Sequence, residues 1–293
     1  MEDVQKSLWS LHLAVVLLGV TALFSRIIPL SALDITFGRS VVACGCLFLL
    51  LKFTGKSLKL HSYKDLGIGV LLGVIMALHW VTYFAAMQYS SVAVGMIALF
   101  TFPVITVFLE PFFEKVRLVW QDVVSALVVL LGITLIVPDS SLNNDVTLGI
   151  VVGVFSALLY SLRNLIHRRY FSHYSGAHAM TLQTFVIILC LGLFTSEQLY
   201  AISLETLFYL VVLGSICTAI PHALIASSLK HLRAKTFSLI ACAQPLYGVG
   251  FAYVLLQERP SAYTLVGGLL VISAAVYETI NAQKHRAKAK GTQ

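Results

Sequence analysis

The sequence predicts an all-α integral membrane protein of ten transmembrane helices, built as two inverted five-helix repeats with both termini cytoplasmic. Three observations predict it. First, the 293 residues are 58% hydrophobic and only 11% charged, and the mean hydropathy is +0.89; a soluble domain carries about 25% charged residues. Second, apolar runs of about 20 residues, the length that crosses a bilayer, recur between short polar stretches. Third, nearly all the positive charges fall on alternate polar stretches.

The runs place spans at 8–26, 33–51, 65–87, 91–113, 119–137, 147–166, 176–196, 204–227, 234–256 and 262–281. Lipid offers no partner to a bare backbone N–H or C=O, so these spans must be helices. The N-terminal stretch has no small-residue cleavage site and reads as a retained first span, not a signal peptide. With the N-terminus inside, 17 of the 20 Lys and Arg lie on cytoplasmic segments, and only Arg26, Arg39 and Arg259 lie on outer ones. The outer segments carry Asp139, Asp145, Glu197 and Glu205. This is the positive-inside pattern, and an error of one span would destroy it. The net charge of +7 therefore belongs to the cytoplasmic face and its anionic lipids, not to nucleic acid. KHRAKAKGTQ, 284–293, reads as a basic cytoplasmic tail.

Polar residues inside the spans are the functional candidates, because charge in a membrane is expensive and faces a cavity or a partner. In the second span Arg39 follows Asp34 by five residues; it either pairs with that acid or binds an anionic substrate group from the outer side. In the third, His79 and Tyr83 stand one turn apart beside Met76 and Trp80. His79 is either a packing histidine bonded to a neighbouring helix or part of an aromatic and polar wall, and Trp80 is either in that wall or at the outer interface.

The fourth span holds Pro103 and, seven residues on, Glu110, which shares its helix face. Pro103 frees the Leu99 carbonyl and predicts a kink. Glu110 either lines a path or snorkels to the cytoplasmic end; Glu114 and Glu258 read as interface residues. The sixth span carries a polar stripe, Ser156, Tyr160, Arg163, Asn164 and His167, read as a cavity wall or, at its end, a cytoplasmic collar. In the eighth, His222 follows Pro221. In the ninth, Gln244 and Tyr247 flank Pro245, with Gly248 and Gly250 permitting close helix approach.

Pro103 and Pro245 are 142 residues apart, and shifting the first five spans by about that offset lands on the second five. The expected units are a first repeat, 1–140, and a second, 141–283. Five is odd, so the second repeat must be upside down. Inverted repeats give a transporter two similar gates facing opposite sides. WVTYFAAMQYSSVAVGMIALFTFPVITVFLEP, 80–111, and ALIASSLKHLRAKTFSLIACAQPLYGVGFAYVLLQERPS, 223–261, carry the landmarks of each half. In this order and topology the chain resembles the drug/metabolite transporter superfamily, in its EamA-type members. The resemblance spans nearly the whole chain. It implies a ten-helix inner-membrane carrier of small metabolites, often an exporter of amino acids or related compounds. Thirteen residues after Pro245 stands Glu258, as in the family pattern, whereas the first-half position is Val116.

The expected function is therefore a secondary transporter working by alternating access. Its partners are a small zwitterionic or anionic metabolite, the bilayer and, as a candidate coupling ion, protons. The alternative is a channel or a non-transporting assembly partner. The chain has no H-E-x-x-H, no G-x-S-x-G and no nucleotide-binding Gly-Lys motif, so neither an enzyme nor ATP drive is expected. No cofactor and no metal are expected: the five cysteines lie in apolar runs without ligand spacing, and the histidines are scattered. The substrate-path candidates are Arg39, His79, Trp80, Tyr83, Glu110, Tyr160, Arg163, Asn164, Gln244 and Tyr247, and Pro103 and Pro245 are the hinges.

Overall fold

The computed structural model describes residues 2–113, 118–136, 144–228 and 240–290. Among them every regular element is helical. The first half holds α1 (Glu2–Thr21), α2 (Phe24–Ile27), α3 (Ala32–Phe53), α4 (Tyr63–Tyr89), α5 (Val92–Leu99), α6 (Phe102–Phe113) and α7 (Trp120–Ile136). The second holds α8 (Asp145–Tyr170), α9 (Gly176–Leu191), a 3₁₀ turn (Glu197–Ala201), α10 (Leu204–Gly214), a π turn (Ser215–Ala219), α11 (Ile220–Ser228), α12 (Gln244–Leu255) and α13 (Ala262–Lys290).

Among the described residues six stretches are long and apolar enough to cross a membrane: Gln5–Ile27, Ala32–Phe53, Tyr63–Tyr89, Val92–Phe113, Asp145–Tyr170 and Leu204–Ile225. Trp120–Ile136, Gly176–Leu191 and Ala262–Tyr277 are shorter apolar helices. Large apolar side chains face outward: Leu130, Leu131, Leu189, Leu265 and Leu269 are each more than half exposed. That surface suits lipid, not water.

The polar punctuation works as helix caps. Ser31, Ser62, Ser91, Ser175 and Ser203 each accept the N–H three residues on, opening α3, α4, α5, α9 and α10, and Asn144 opens α8. Each satisfies an orphan donor at a helix start.

The prolines do more than kink. The fourth span breaks outright at Phe100–Thr101, leaving Pro103 as the second residue of α6. Pro245 is likewise the second residue of α12. Proline suits a first helical turn, whose N–H groups have no intrahelical acceptor. Pro221 acts differently. It has no N–H for the carbonyl four residues back, Cys217, and the backbone there widens into the π turn. The hydroxyl of Thr21, where α1 itself breaks, donates to that Cys217 carbonyl at 3.0 Å. α13 runs on through Lys290, so the backbone of 284–290 continues the last helix.

Exchange of the two halves maps the packing onto itself. α4 packs on α8, and α11 on α1; α4 on α9, and α10 on α3; α5 and α6 on α8, and α12 on α1. α3 meets α9, α5 meets α12 and α7 meets α13, each facing its own counterpart. In the last pair the backbones nearly touch: a Cβ on Gly132 would stand 2.8 Å from the Gly267 carbonyl oxygen. Between helices in lipid, such close packing supplies the attraction that the hydrophobic effect supplies in water.

The halves are inverted. Arg26, just past α1, donates to the Ser90 carbonyl at the end of α4, and Gly149, near the start of α8, lies against the same Ser90. α8 thus begins at the face where α1 ends. Glu258 marks this face and Glu110 the opposite one.

Candidate functional site

A cavity of about 700 Å³ lies between the halves, walled by α1, α3, α4, α5, α6, α8, α9, α11 and α12. It runs from Thr21 and Arg39 to Ser172 and Gly176, on the loop between α8 and α9 at the Glu110 face.

Arg39 dominates its deep part. The side chain sits two turns into α3, not at its outer end, and is 3% exposed. The guanidinium lies flat over Trp80, 3.8 Å from the ring centroid, with Phe84 at 5.2 Å. Its Nε and Nη1 have no hydrogen-bond partner, and neither has the buried Tyr83 hydroxyl. Of the two readings of Arg39, the pairing with Asp34 is not formed. Asp34 takes the Ser196 N–H at 2.9 Å and the Ser196 and Ser31 hydroxyls at 2.8 and 2.7 Å. With its acceptor capacity spent on the α9 end, Asp34 leaves Arg39 without a counter-ion. A charge at the bilayer centre costs about 2.5–3.5 kcal/mol on insertion scales, so an unpaired one calls for a function.

Arg163 on α8 is the second cation. Its Nε donates to Gln183 Oε1 and its Nη1 to Asn164 Oδ1, both at 3.0 Å, and its Nη2 lies 3.5 Å from Met180 Sδ. These neutral partners aim the group without cancelling its charge. Gln183, fully buried on α9, was not visible as a candidate; nothing in its own run marks it as the partner of a residue twenty positions earlier.

His79 joins the halves. Its Nδ1 lies 3.1 Å from the Ser156 carbonyl and 2.8 Å from the Ser156 hydroxyl, which itself donates to the His79 carbonyl at 2.9 Å. A carbonyl only accepts, so Nδ1 carries the proton and Nε2 is an acceptor in the neutral ring. The ring stacks on Tyr160 at 4.8 Å, and Tyr160 meets Phe102 edge-on at 4.9 Å. His79 is thus both a bonded packing group and a cavity wall. Trp80 is 4% exposed, inside the wall and not at an interface.

The structure brings Arg39, His79, Trp80, Tyr83, Tyr160, Arg163, Asn164 and Gln244 to one cavity, with His167 and His222. It does not bring Tyr247 or Glu110. Tyr247 packs its Cβ against Gly19 on α1. Glu110 binds Arg168 at 2.8 Å and reaches the cavity only through it, since Arg168 lines the wall. Neither a clean lining role nor free snorkelling describes it. Glu258 pairs with Arg26 at 3.8 Å and accepts the Val92 N–H at 3.1 Å, holding the end of α12 to the start of α5. Glu114 lies outside the described residues.

Among the described residues no Asp or Glu lines the cavity. A second, largely apolar cavity of about 620 Å³ between α5, α12 and α13 has exposed Leu246, Tyr253 and Leu269 in its walls; it is a flank groove of the kind acyl chains fill.

Among the described residues the histidines, scattered along the chain, form one cluster with an acid. His61, Asp65 and His173 place their donor atoms within 4.8 Å of one another at the Glu110 face. Tyr174 donates to Asp65 at 3.0 Å and accepts the His61 N–H at 2.7 Å. Burial raises the Tyr174 phenol above its usual range, and the Asp65 carboxylate adds to this.

The model of the EamA-like transporter family matches residues 5–137 and again 147–277. The uncharacterized transporter YxxF of Bacillus subtilis is 26% identical over 293 residues, covering 96% of this chain and 92% of its own. The pseudopaline exporter CntI of Pseudomonas aeruginosa is 23% identical over 250 residues, covering 84% and 86%. A crystal structure superposes with a TM-score of 0.63 at 17% identity, over 94% of this chain and 98% of that one, a likeness of fold alone. Both relatives are named as transporters. One copy of the family model falls on each half of a fold whose halves pack by exchange, and the chain belongs to the EamA-like transporter family, as a multi-pass membrane transporter.

Proposed function

We propose that this protein is a secondary transporter that moves small metabolites, amino acids and related zwitterionic or anionic compounds, out of the cell by alternating access. The observation that carries this reading is Arg39: a guanidinium buried in a cavity between inverted halves, stacked on Trp80 and without an acid. It supplies what an anionic group of a substrate needs. Trp80, Tyr83, His79, Tyr160, Arg163, Asn164 and Gln244 form the path; Glu110 acts on it through Arg168, and Tyr247 holds α12 to α1. Pro103 and Pro245 are the hinges, where broken helices can rotate without losing a helical hydrogen bond. The positive-inside pattern supports ten passes in the inner membrane, with both termini and the Glu110 face cytoplasmic. The two repeats are then 1–140 and 141–283. The direction rests on the exporter among the relatives, and protons are the first coupling ion to test.

Counterflow in proteoliposomes tests the carrier. Preloaded unlabelled substrate should accelerate entry of the labelled compound, with saturation. Linear flux without trans-acceleration would mean a channel.

A further inference from the structure

We propose that the substrate carries two anionic groups, one held at Arg39 and one at Arg163, so that it bridges the two repeats. This rests on the transport reading above and narrows it. Arg39 belongs to α3 in the first half and Arg163 to α8 in the second, and both line one cavity. Neither has a carboxylate partner: Arg39 faces aromatic rings, and Arg163 is held by Gln183, Asn164 and Met180. The other cation of the wall, Arg168, is paired with Glu110. The cavity therefore presents two uncompensated positive charges, with no acid among the described residues to receive a substrate ammonium.

A monoanion would leave one guanidinium buried without a counter-ion. A dianion neutralises both, and only such a ligand lowers the cost of closing the cavity from lipid and water together. Each planar guanidinium can take a carboxylate or a phosphate through two parallel N–H donors. The shared chemistry is thus two acidic groups on a small skeleton. Bridging also couples occupancy to motion, because the ligand pulls one repeat toward the other.

The test measures thermal stabilisation of purified full-length protein in chloride-poor buffer. The probes are succinate, glutarate and adipate as dicarboxylates, O-phosphoserine as a phosphate source, and acetate and alanine with one carboxylate each. At least one dianion should raise the unfolding temperature at concentrations at least tenfold below those at which acetate or alanine acts. Whether a dicarboxylate or O-phosphoserine does so identifies the acid groups. Arg163→Gln should abolish that tenfold preference. Arg39→Lys, which keeps the charge, guards against misfolding of Arg39→Gln and should retain the preference. Equal action of alanine and succinate, no response to any dianion, or a preference unchanged by Arg163→Gln would overturn the proposal. Failure of the transport reading looks different: dianion binding would persist while counterflow is absent.

Discussion

Each of the two opposite faces of the molecule carries a glutamate–arginine ion pair built on equivalent arginines. Glu110 ends the broken helix of the first half and binds Arg168 at the end of the second half's first helix. Glu258 follows the broken helix of the second half and meets Arg26 just past the first half's first helix. Exchange of halves matches Arg26 to Arg168, 142 residues on, while the two acids stand at different positions of their halves, Glu110 within its helix and Glu258 past the end of its own. The difference lies in what surrounds them. The Glu258 face is cross-tied: Glu258 also caps α5, Arg26 reaches Ser90, and Asp34 fastens α3 to the end of α9. At the Glu110 face the pair sits on the cavity wall, and the cavity extends past it to Ser172. One wiring plan thus appears once as a closed end and once as the rim of an open one. With their arginines at the surface and their acids mostly covered, such pairs are worth on the order of 1 kcal/mol, too little to hold the fold but enough to bias two conformations of similar energy.

The largest expected effect comes from between the faces. Arg39→Gln should lower counterflow at least about tenfold, the loss of roughly 1.4 kcal/mol of substrate binding. It should also raise the unfolding temperature of the empty protein, since it removes an uncompensated buried charge. A fall in both activity and stability would show Arg39 to be structural.

Breaking the Glu258 face comes next. Glu258→Gln removes both the ion pair and the cap on α5. Reaction of Cys217, buried behind Thr21, with an impermeant maleimide should quicken several-fold from the side of that face. Unchanged labelling would deny the pair a gating role. Glu110→Gln should act in the opposite sense and more weakly, because the cavity already extends past Arg168; the matched exchange of Glu110 and Arg168 should restore wild-type flux. Ser156→Ala should cost about 1–2 kcal/mol of stability, because both hydroxyl bonds between α8 and α4, from His79 Nδ1 and to the His79 carbonyl, are lost while the Ser156 carbonyl still accepts from His79. The smallest effect is at Tyr247: Tyr247→Phe should leave flux unchanged, as the side chain lies off the cavity.

What could be read from the chain and what could not follow a physical line. The all-helical, two-repeat plan was legible because apolar length and the spacing of the two prolines are signals that repeat along the chain. The polar stripe from Ser156 to His167 was legible for the same reason, as a helical period. Arg39 was half legible: its charge stood out, but pairing with Asp34 and binding a substrate anion stood equally open, because the claim of Ser196, 162 residues away, on that acid has no local signature. Pairs across the bundle, Glu110 with Arg168 and Glu258 with Arg26, have no local signature. The first-half spacing from Pro103 even argued against matching Glu110 to Glu258. The π turn was signalled only by Pro221, and the hydroxyl that completes it comes from Thr21 on another helix.

The central claim is that the two faces alternate around the Arg39 cavity. Pulsed electron-spin distance measurements test it most directly, with one label pair at Tyr89 and Gln257 and another at Phe112 and Ser172, all exposed positions. On adding a transported compound, the first distance should lengthen as the second shortens. Two distances that change together, or that ignore the compound while it is being transported, would contradict alternating access in this protein.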